Sequence, residues 1–304
     1  MDDALVACRA VQFTAAMFAF GGTAFRLYAI AGRDRDIVGG FDARLGRLVL
    51  VSALIALLAG LALVSIVGST MSGSAAAALD WKTISAVLLH TSFGRVWRWH
   101  LLAAALFVIV CWAPAARPGY GAVLGAVALA SLGWVGHALI GEGRIGIAYA
   151  VNQSVHLLAS GLWLGGLAPL AALVYRATRT PSGAWFGVMR AGLLKFSLIG
   201  YFAVALIVLT GIVNTAILVG SVGGLTRTPY GRLLLVKIAL FLLMVALAAM
   251  NRFVLVPRID REGAPTGADA LMWTIGIEQI FGLAIIAAVS LLGTWPPAMH
   301  MHAH

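Results

Sequence analysis

Charged residues are scarce in this chain. Asp, Glu, Lys and Arg together make up only 11% of its 304 residues, whereas hydrophobic residues make up 62%. Because a soluble domain carries about 25% charged residues, the chain has too few polar side chains to cover a globule in water. The mean hydropathy of +0.98 likewise indicates an integral membrane protein.

Cysteine is also rare, and several motifs are missing. Cys8 and Cys111 lie in separate apolar runs without a CxxC spacing, so neither a disulfide framework nor a zinc ribbon is predicted. The sequence contains no Walker-type loop, nucleophile–base pair or paired carboxylates, so we expect neither nucleotide-driven transport nor catalysis. The net charge of +10 comes without a lysine-rich run, and no nucleic-acid partner is expected. The N-terminal apolar run is too long for a cleavable signal peptide.

Long apolar runs occupy most of the chain. A helix needs about 20 apolar residues to cross the hydrocarbon core. Eight candidate runs are 4–31, 46–67, 97–114, 119–140, 149–175, 193–220, 230–255 and 270–294. The segment 81–93 is too short to span, and we expect an interfacial or re-entrant helix capped by Asp80. The sequence therefore predicts one polytopic domain over residues 1–304, an all-α bundle of about eight transmembrane helices in a lipid bilayer.

The positions of Arg and Lys predict an orientation. The connections on one side of the predicted bundle carry more of these residues than the connections on the other side. The richer side should face the cytoplasm. Both termini are then expected to be periplasmic, which we call outer.

All seven histidines fall at or near the predicted outer face. They are His90, His100, His137, His156, His300, His302 and His304. The last three alternate with Met299 and Met301 in a tail over 295–304 that we expect to be exposed. Imidazole suits copper, zinc and nickel, and thioether selects Cu(I). We therefore predict an outward-facing metal site from these ligands. A solvated tail and interfacial, hydrogen-bonded histidines are the alternatives.

The fifth run carries the clearest local pattern. Asn152, His156 and Ser160 recur every four residues and therefore share one helix face. Trp163 lies close to that face. Asn152 or Ser160 could hold one ring nitrogen of His156 and leave the other for a metal.

Three further polar residues lie inside predicted spans. Glu278 is near the middle of the eighth span, Lys237 about two turns into the seventh, and Asn214 near the outer end of the sixth. Isolated charges are costly in the membrane, so Lys237 could pair with Glu278 or snorkel outward. Alternatively, Glu278 is a cation or proton station on a pathway. Asn214 is a candidate lining residue of the same cavity.

Five ordered motifs resemble the copper resistance protein D (CopD/PcoD) family. They are Trp134-Val-Gly-His137-Ala; His156-Leu-Leu-Ala-Ser-Gly-Leu-Trp163-Leu-Gly-Gly; Lys195-Phe-Ser with Leu209-Thr-Gly-Ile-Val-Asn214; Thr228-Pro-Tyr-Gly-Arg-Leu-Leu-Leu-Val-Lys237 with Ala249-Met-Asn251-Arg; and Glu278 with Leu292-Gly-Thr-Trp-Pro-Pro-Ala-Met-His300. The likeness is closest over residues 134–300. It implies an inner-membrane protein of bacterial copper homeostasis that moves Cu(I) or Cu(II) from periplasm to cytoplasm, with a periplasmic CopC-type protein as a partner.

Two other interpretations stay open at the level of the sequence. Histidines on neighbouring helices also suit a membrane b-type cytochrome, although the inner half has no histidine and leaves room for only a single haem near the periplasmic face. The other interpretation is a non-transporting scaffold that delivers copper to a partner.

Overall fold

The computed structural model describes residues 2–33, 35–113, 118–135, 143–180, 183–262 and 266–298, and no strand occurs in these ranges. The α-helices are α1 (Asp2–Phe25), α2 (Arg35–Ser72), α3 (Trp81–His90), α4 (Ser92–Trp112), α5 (Pro118–Ser131), α6 (Gly143–Arg179), α7 (Gly183–Val219), α8 (Val222–Arg227), α9 (Pro229–Met250), α10 (Val256–Glu262) and α11 (Thr266–Leu292). Short π-helical turns, Arg26–Ile30 and Asn251–Leu255, extend α1 and α9.

Among the described residues, seven helical segments are long and apolar enough to cross a membrane, which confirms the all-α membrane bundle. The predicted span 119–140 is the exception, because only a shorter apolar helix, Pro118–Trp134, stands in its place. There the chain tightens into a 3₁₀ turn in which Gly133 lies against the backbone of Ser154. The rest of that span, from residue 136, falls outside the described residues.

Several helices extend beyond their predicted ends. α2 begins at Arg35 instead of residue 46, α7 at Gly183 instead of 193, and α4 at Ser92 instead of 97. The predicted ends followed the apolar residues alone, whereas a helix keeps its backbone hydrogen bonds past the point at which polar side chains reach the membrane surface.

Asp80 caps the N-terminus of the short helix α3, as expected. The carboxylate of Asp80 accepts hydrogen bonds from the backbone N–H groups of Lys82 and Thr83, at 3.3 Å and 3.1 Å. The Thr83 hydroxyl also donates to it at 2.8 Å. These hydrogen bonds favour the ionised form and hold the pKa of Asp80 below its usual range.

The centre of the bundle is α6, the most buried of the spans. It packs against α1, α5, α7 and α11. Gly161 and Gly165, four residues apart, predict a close helix contact, and α1 makes it through Gly21. A Cβ atom on Gly21 would lie 2.4 Å from the backbone oxygen of Gly161, and one on Gly165 would lie 2.0 Å from that of Met17. This approach fixes α1 beside α6.

We expect Gly165→Ala to lower the free energy of unfolding of the purified protein by about 1–3 kcal/mol, because the added methyl group forces α1 and α6 apart. The unfolding temperature should fall accordingly. Gly276→Ala is the control, since nothing lies within 4 Å of a Cβ atom at that position of α11. Thermal unfolding in detergent measures both variants. Equal unfolding temperatures for the two would contradict the close contact.

Candidate metal site in an outer cavity

A cavity of about 670 Å³ lies between α1, α6, α7, α9 and α11. It lies in the half of the bundle in which α1, α6 and α9 begin and α7 and α11 end, which is the outer half in the predicted orientation. Most of its wall is apolar. The polar side chains that line it include those of Arg9, Gln153, His156, Ser160, Asn214 and Lys237.

His156 presents one ring nitrogen to this cavity. The residue is 8% exposed, and its Nδ1 atom lies 2.8 Å from the hydroxyl oxygen of Thr210. That hydroxyl donates its proton to the backbone oxygen of Leu206 at 2.5 Å, so the Thr210 oxygen accepts and Nδ1 of His156 carries the proton. Nε2 therefore keeps its lone pair, with no hydrogen-bond partner among the described residues. A neutral imidazole held in this way is in the tautomer that can bind a metal through Nε2.

The expectation that Asn152 or Ser160 holds the ring of His156 is wrong. Ser160 donates to the backbone oxygen of His156 at 2.8 Å, as serine hydroxyls in helices commonly do. Asn152 donates to the backbone oxygen of Thr210 at 3.1 Å. The orienting hydroxyl belongs to α7, and the spacing of residues within α6 carries no information about a neighbouring helix.

An amide network ties α6 to α7 next to His156. Asn152 donates to the side-chain oxygen of Asn214 at 2.9 Å, and Asn214 donates to that of Gln153 at 2.7 Å. Gln153 and Asn214 both line the cavity. Thr210 and Asn214 are four residues apart and share a face of α7, which is the signal in the sequence that could have identified Thr210.

The ion-pair interpretation of Lys237 and Glu278 is wrong, because these two described residues form no salt bridge. Lys237 lines the outer cavity, whereas Glu278 does not. Glu278 is fully buried, and its Oε1 atom accepts a hydrogen bond from the side-chain amide of Asn251 at 2.5 Å. Its Oε2 atom has no hydrogen-bond partner in the described part of the chain.

A second cavity of about 170 Å³ surrounds Glu278 and lies deeper in the bundle. Asn251, the first residue of a π-helical turn, lines it, and such turns are frequent at functional sites. Trp163 lines both cavities and packs edge-on against Phe241, with ring centroids 5.9 Å apart. Trp163 therefore stands between the outer cavity and Glu278.

His100 does not line the outer cavity. It is 2% exposed, and its Nε2 atom lies 2.9 Å from the side-chain amide nitrogen of Gln12. Its Nδ1 atom lies 2.9 Å from the hydroxyl of Ser131 and 3.1 Å from the backbone oxygen of Ala128. Both ring nitrogens are thus engaged within the protein, where they tie α4 to α1 and α5.

The other predicted ligands are not gathered around His156 in the described residues. His90 is the exposed last residue of α3. His137 and the tail ligands Met299, His300, Met301, His302 and His304 lie outside the described residues. Within the described part of the chain, no three His, Cys, Asp or Glu side chains come close enough together to hold a metal ion.

Two family models match this chain. The one described as "Copper resistance protein D-like, N-terminal domain" matches residues 1–147, and the one described as "Copper resistance protein D" matches residues 190–292. The likeness to the family therefore includes the first three predicted spans. No solved structure matches.

Similarity to individual proteins extends over nearly the whole chain. It is 30% identical over 293 residues to "Inner membrane protein YebZ" of Escherichia coli K12, covering 96% of this chain and 98% of that protein. It is 32% identical over 309 residues to "Copper resistance protein D" of Pseudomonas syringae pv. tomato, covering 98% and 99%. It is 28% identical to "Copper transport protein CutJ" of Bacillus subtilis, covering 95% of this chain and 53% of that protein.

The seven apolar helices found in the described ranges, together with the similarity to an inner membrane protein, identify a multi-pass protein of the bacterial inner membrane. The family models match residues 1–147 and 190–292, and two relatives are at least 30% identical to this chain over nearly their full lengths. The chain therefore belongs to the copper resistance protein D family.

Proposed function

We propose that this protein takes copper from the periplasm towards the cytoplasm through the outer cavity. The single observation that carries the proposal is His156, a buried imidazole in an apolar cavity. Its Nδ1 atom is fixed by Thr210, and its Nε2 atom has no hydrogen-bond partner among the described residues. The names of two relatives, a copper resistance protein and a copper transport protein, support copper as the metal.

The inward path begins at His156 and continues past Trp163. Met17 and Met244 also line the outer cavity, and thioether sulfur is a ligand that selects Cu(I). Glu278 is the next station on the inner side of Trp163, and one of its carboxylate oxygens has no partner within the described ranges.

Capture at the outer face is the part of the proposal that rests on the sequence alone. It assigns this role to His90, His137 and the Met/His tail over 295–304, with the termini in the periplasm. A periplasmic copper-binding protein of the CopC type is the proposed donor.

Copper uptake into proteoliposomes tests the proposed function. Vesicles that contain the protein should accumulate Cu(I) faster than protein-free vesicles of the same lipid composition. A non-transporting scaffold would bind copper without raising its uptake, and that result would contradict the proposal.

Replacing Thr210 with Val should weaken copper binding by about 10- to 100-fold, since the loss of a hydrogen bond to a metal-ligating histidine typically costs that much affinity. Competition with a chromogenic Cu(I) chelator measures the affinity in detergent. Thr178→Val is the matched control, because Thr178 is a half-buried residue near the end of α6 whose hydroxyl donates to the backbone oxygen of Tyr175 and which does not line the cavity. Equal affinities for the two variants would show that Thr210 does not position the ligand.

A b-type haem is the second candidate function of this cavity. The observation that favours it is the combination of a large apolar volume with a buried imidazole and the cationic side chains of Arg9 and Lys237. Haem with His156 as axial ligand would give the purified protein a Soret band that His156→Ala removes. A purified protein without that band, which nevertheless binds copper, favours transport.

A further inference from the structure

Two cationic side chains line the same cavity as His156. Arg9 reaches it from α1 and Lys237 from α9. Neither forms a salt bridge or a hydrogen bond with another described residue, and the Nε atom of Arg9 is buried without a partner. Arg9 rests instead on the ring of Phe13, 5.9 Å from its centroid, and beside Gly293.

These cations make the cavity unfavourable for a bare metal cation. No Asp or Glu is among the described residues that line it. A guanidinium stays protonated in proteins, and like charges repel more strongly in a low-dielectric cavity than in water. Unpaired charges within the membrane are costly and usually mark a functional partner of opposite charge.

We propose that the cavity binds its metal as an anionic complex, with the metal on Nε2 of His156 and its negatively charged ligands against Arg9 and Lys237. The inference rests on the proposed role of His156 as a metal ligand. In this proposal the metal enters the cavity already coordinated by anionic ligands. The cavity volume of about 670 Å³ leaves room for a metal together with its anionic ligands, because a single water molecule occupies only about 30 Å³ of the liquid.

Two metal complexes share this chemistry. One is Cu(I) with halide ligands, which are weakly hydrated and compatible with apolar walls. The other is an iron porphyrin, whose two carboxylates would meet the cations while its ring contacts the apolar wall. The absorption spectrum of the protein as purified separates them, because only the porphyrin gives a Soret band.

The decisive experiment measures Cu(I) affinity of the full-length protein in detergent, in chloride and in perchlorate at equal ionic strength. The wild type should bind Cu(I) at least about tenfold more tightly in chloride. Lys237→Met should lose most of that difference, and Lys237→Arg should keep it. Lys82→Met, which removes an exposed cation of α3, should bind like the wild type.

A bare-cation site gives results of the opposite sign. Removing the charge of Lys237 would then strengthen copper binding, and chloride would have no effect on the affinity. These two results, in a protein without a Soret band, would overturn the inference. If the protein does show a Soret band, Lys237→Met and Arg9→Gln should each reduce the haem content recovered, and unchanged content would overturn it. Uptake that depends on His156 but not on chloride or Lys237 would sink only this inference, whereas no copper uptake and no bound metal would sink the proposed function.

Discussion

His156→Gln is expected to abolish copper binding in the outer cavity and to reduce copper uptake to the level of protein-free vesicles. The loss should exceed the about 10- to 100-fold that removal of an orienting partner causes, because the ligand itself is removed. Glutamine fills a similar volume and can still hydrogen-bond to Thr210, so the fold should be retained. Chelator competition measures the affinity, and the proteoliposome assay measures the uptake.

His100→Gln is the matched control for this variant. His100 is also a buried histidine, but both of its ring nitrogens are engaged, with Gln12 on one side and Ser131 on the other. We therefore expect His100→Gln to lower the unfolding temperature and to leave the copper affinity unchanged. The reverse outcome, in which His100→Gln loses copper and His156→Gln retains it, would place the site elsewhere.

Glu278→Gln should slow copper uptake by about tenfold or more, an increase of about 1.4 kcal/mol in the transport barrier, while copper binding in the outer cavity stays at the wild-type affinity. Binding and uptake should respond differently because Glu278 lies beyond Trp163 and does not line the outer cavity. Glutamine keeps the size of the side chain and removes its charge and its ability to carry a proton. Initial rates of uptake and equilibrium binding separate the two effects.

Ser290→Ala controls for the removal of any buried polar group from α11. Ser290 is fully buried and lines neither cavity, and its hydroxyl has no hydrogen-bond partner among the residues that the structure describes. We expect this variant to transport copper like the wild type. If Glu278→Gln transports as fast as Ser290→Ala, Glu278 is not on the path.

The helices of this protein could be predicted from the sequence because hydropathy is a local property. The exception is informative. Residues 119–140 are apolar enough to suggest a span, yet the helix gives way to a 3₁₀ turn at Leu132–Trp134. The close approach of Gly133 to α6 is a tertiary contact, and a window of hydropathy cannot report it.

The residues of the site were predicted in part for the same reason. His156, Asn214, Lys237 and Glu278 stand out because polar residues are rare in membrane spans. Their partners do not stand out, since pairing depends on the register between helices. Thus Thr210, and not Asn152 or Ser160, holds the imidazole.

The two buried histidines also differ in a way that depends on the packing of the helices. His100 and His156 both lie near the predicted outer face, and the sequence makes both of them candidate metal ligands. Gln12, brought in by α1, engages the second ring nitrogen of His100, whereas the corresponding nitrogen of His156 has no hydrogen-bond partner among the described residues. Only the assembled bundle distinguishes a structural imidazole from one that is available to a metal.

The most direct test of the account is the anomalous scattering at the copper edge from crystals of the copper-loaded protein. We expect a copper peak within the cavity between α1, α6, α7, α9 and α11. It should lie about 2 Å from Nε2 of His156, the usual distance between a metal and a histidine nitrogen. Copper found at other positions with none within bonding distance of His156 would contradict it.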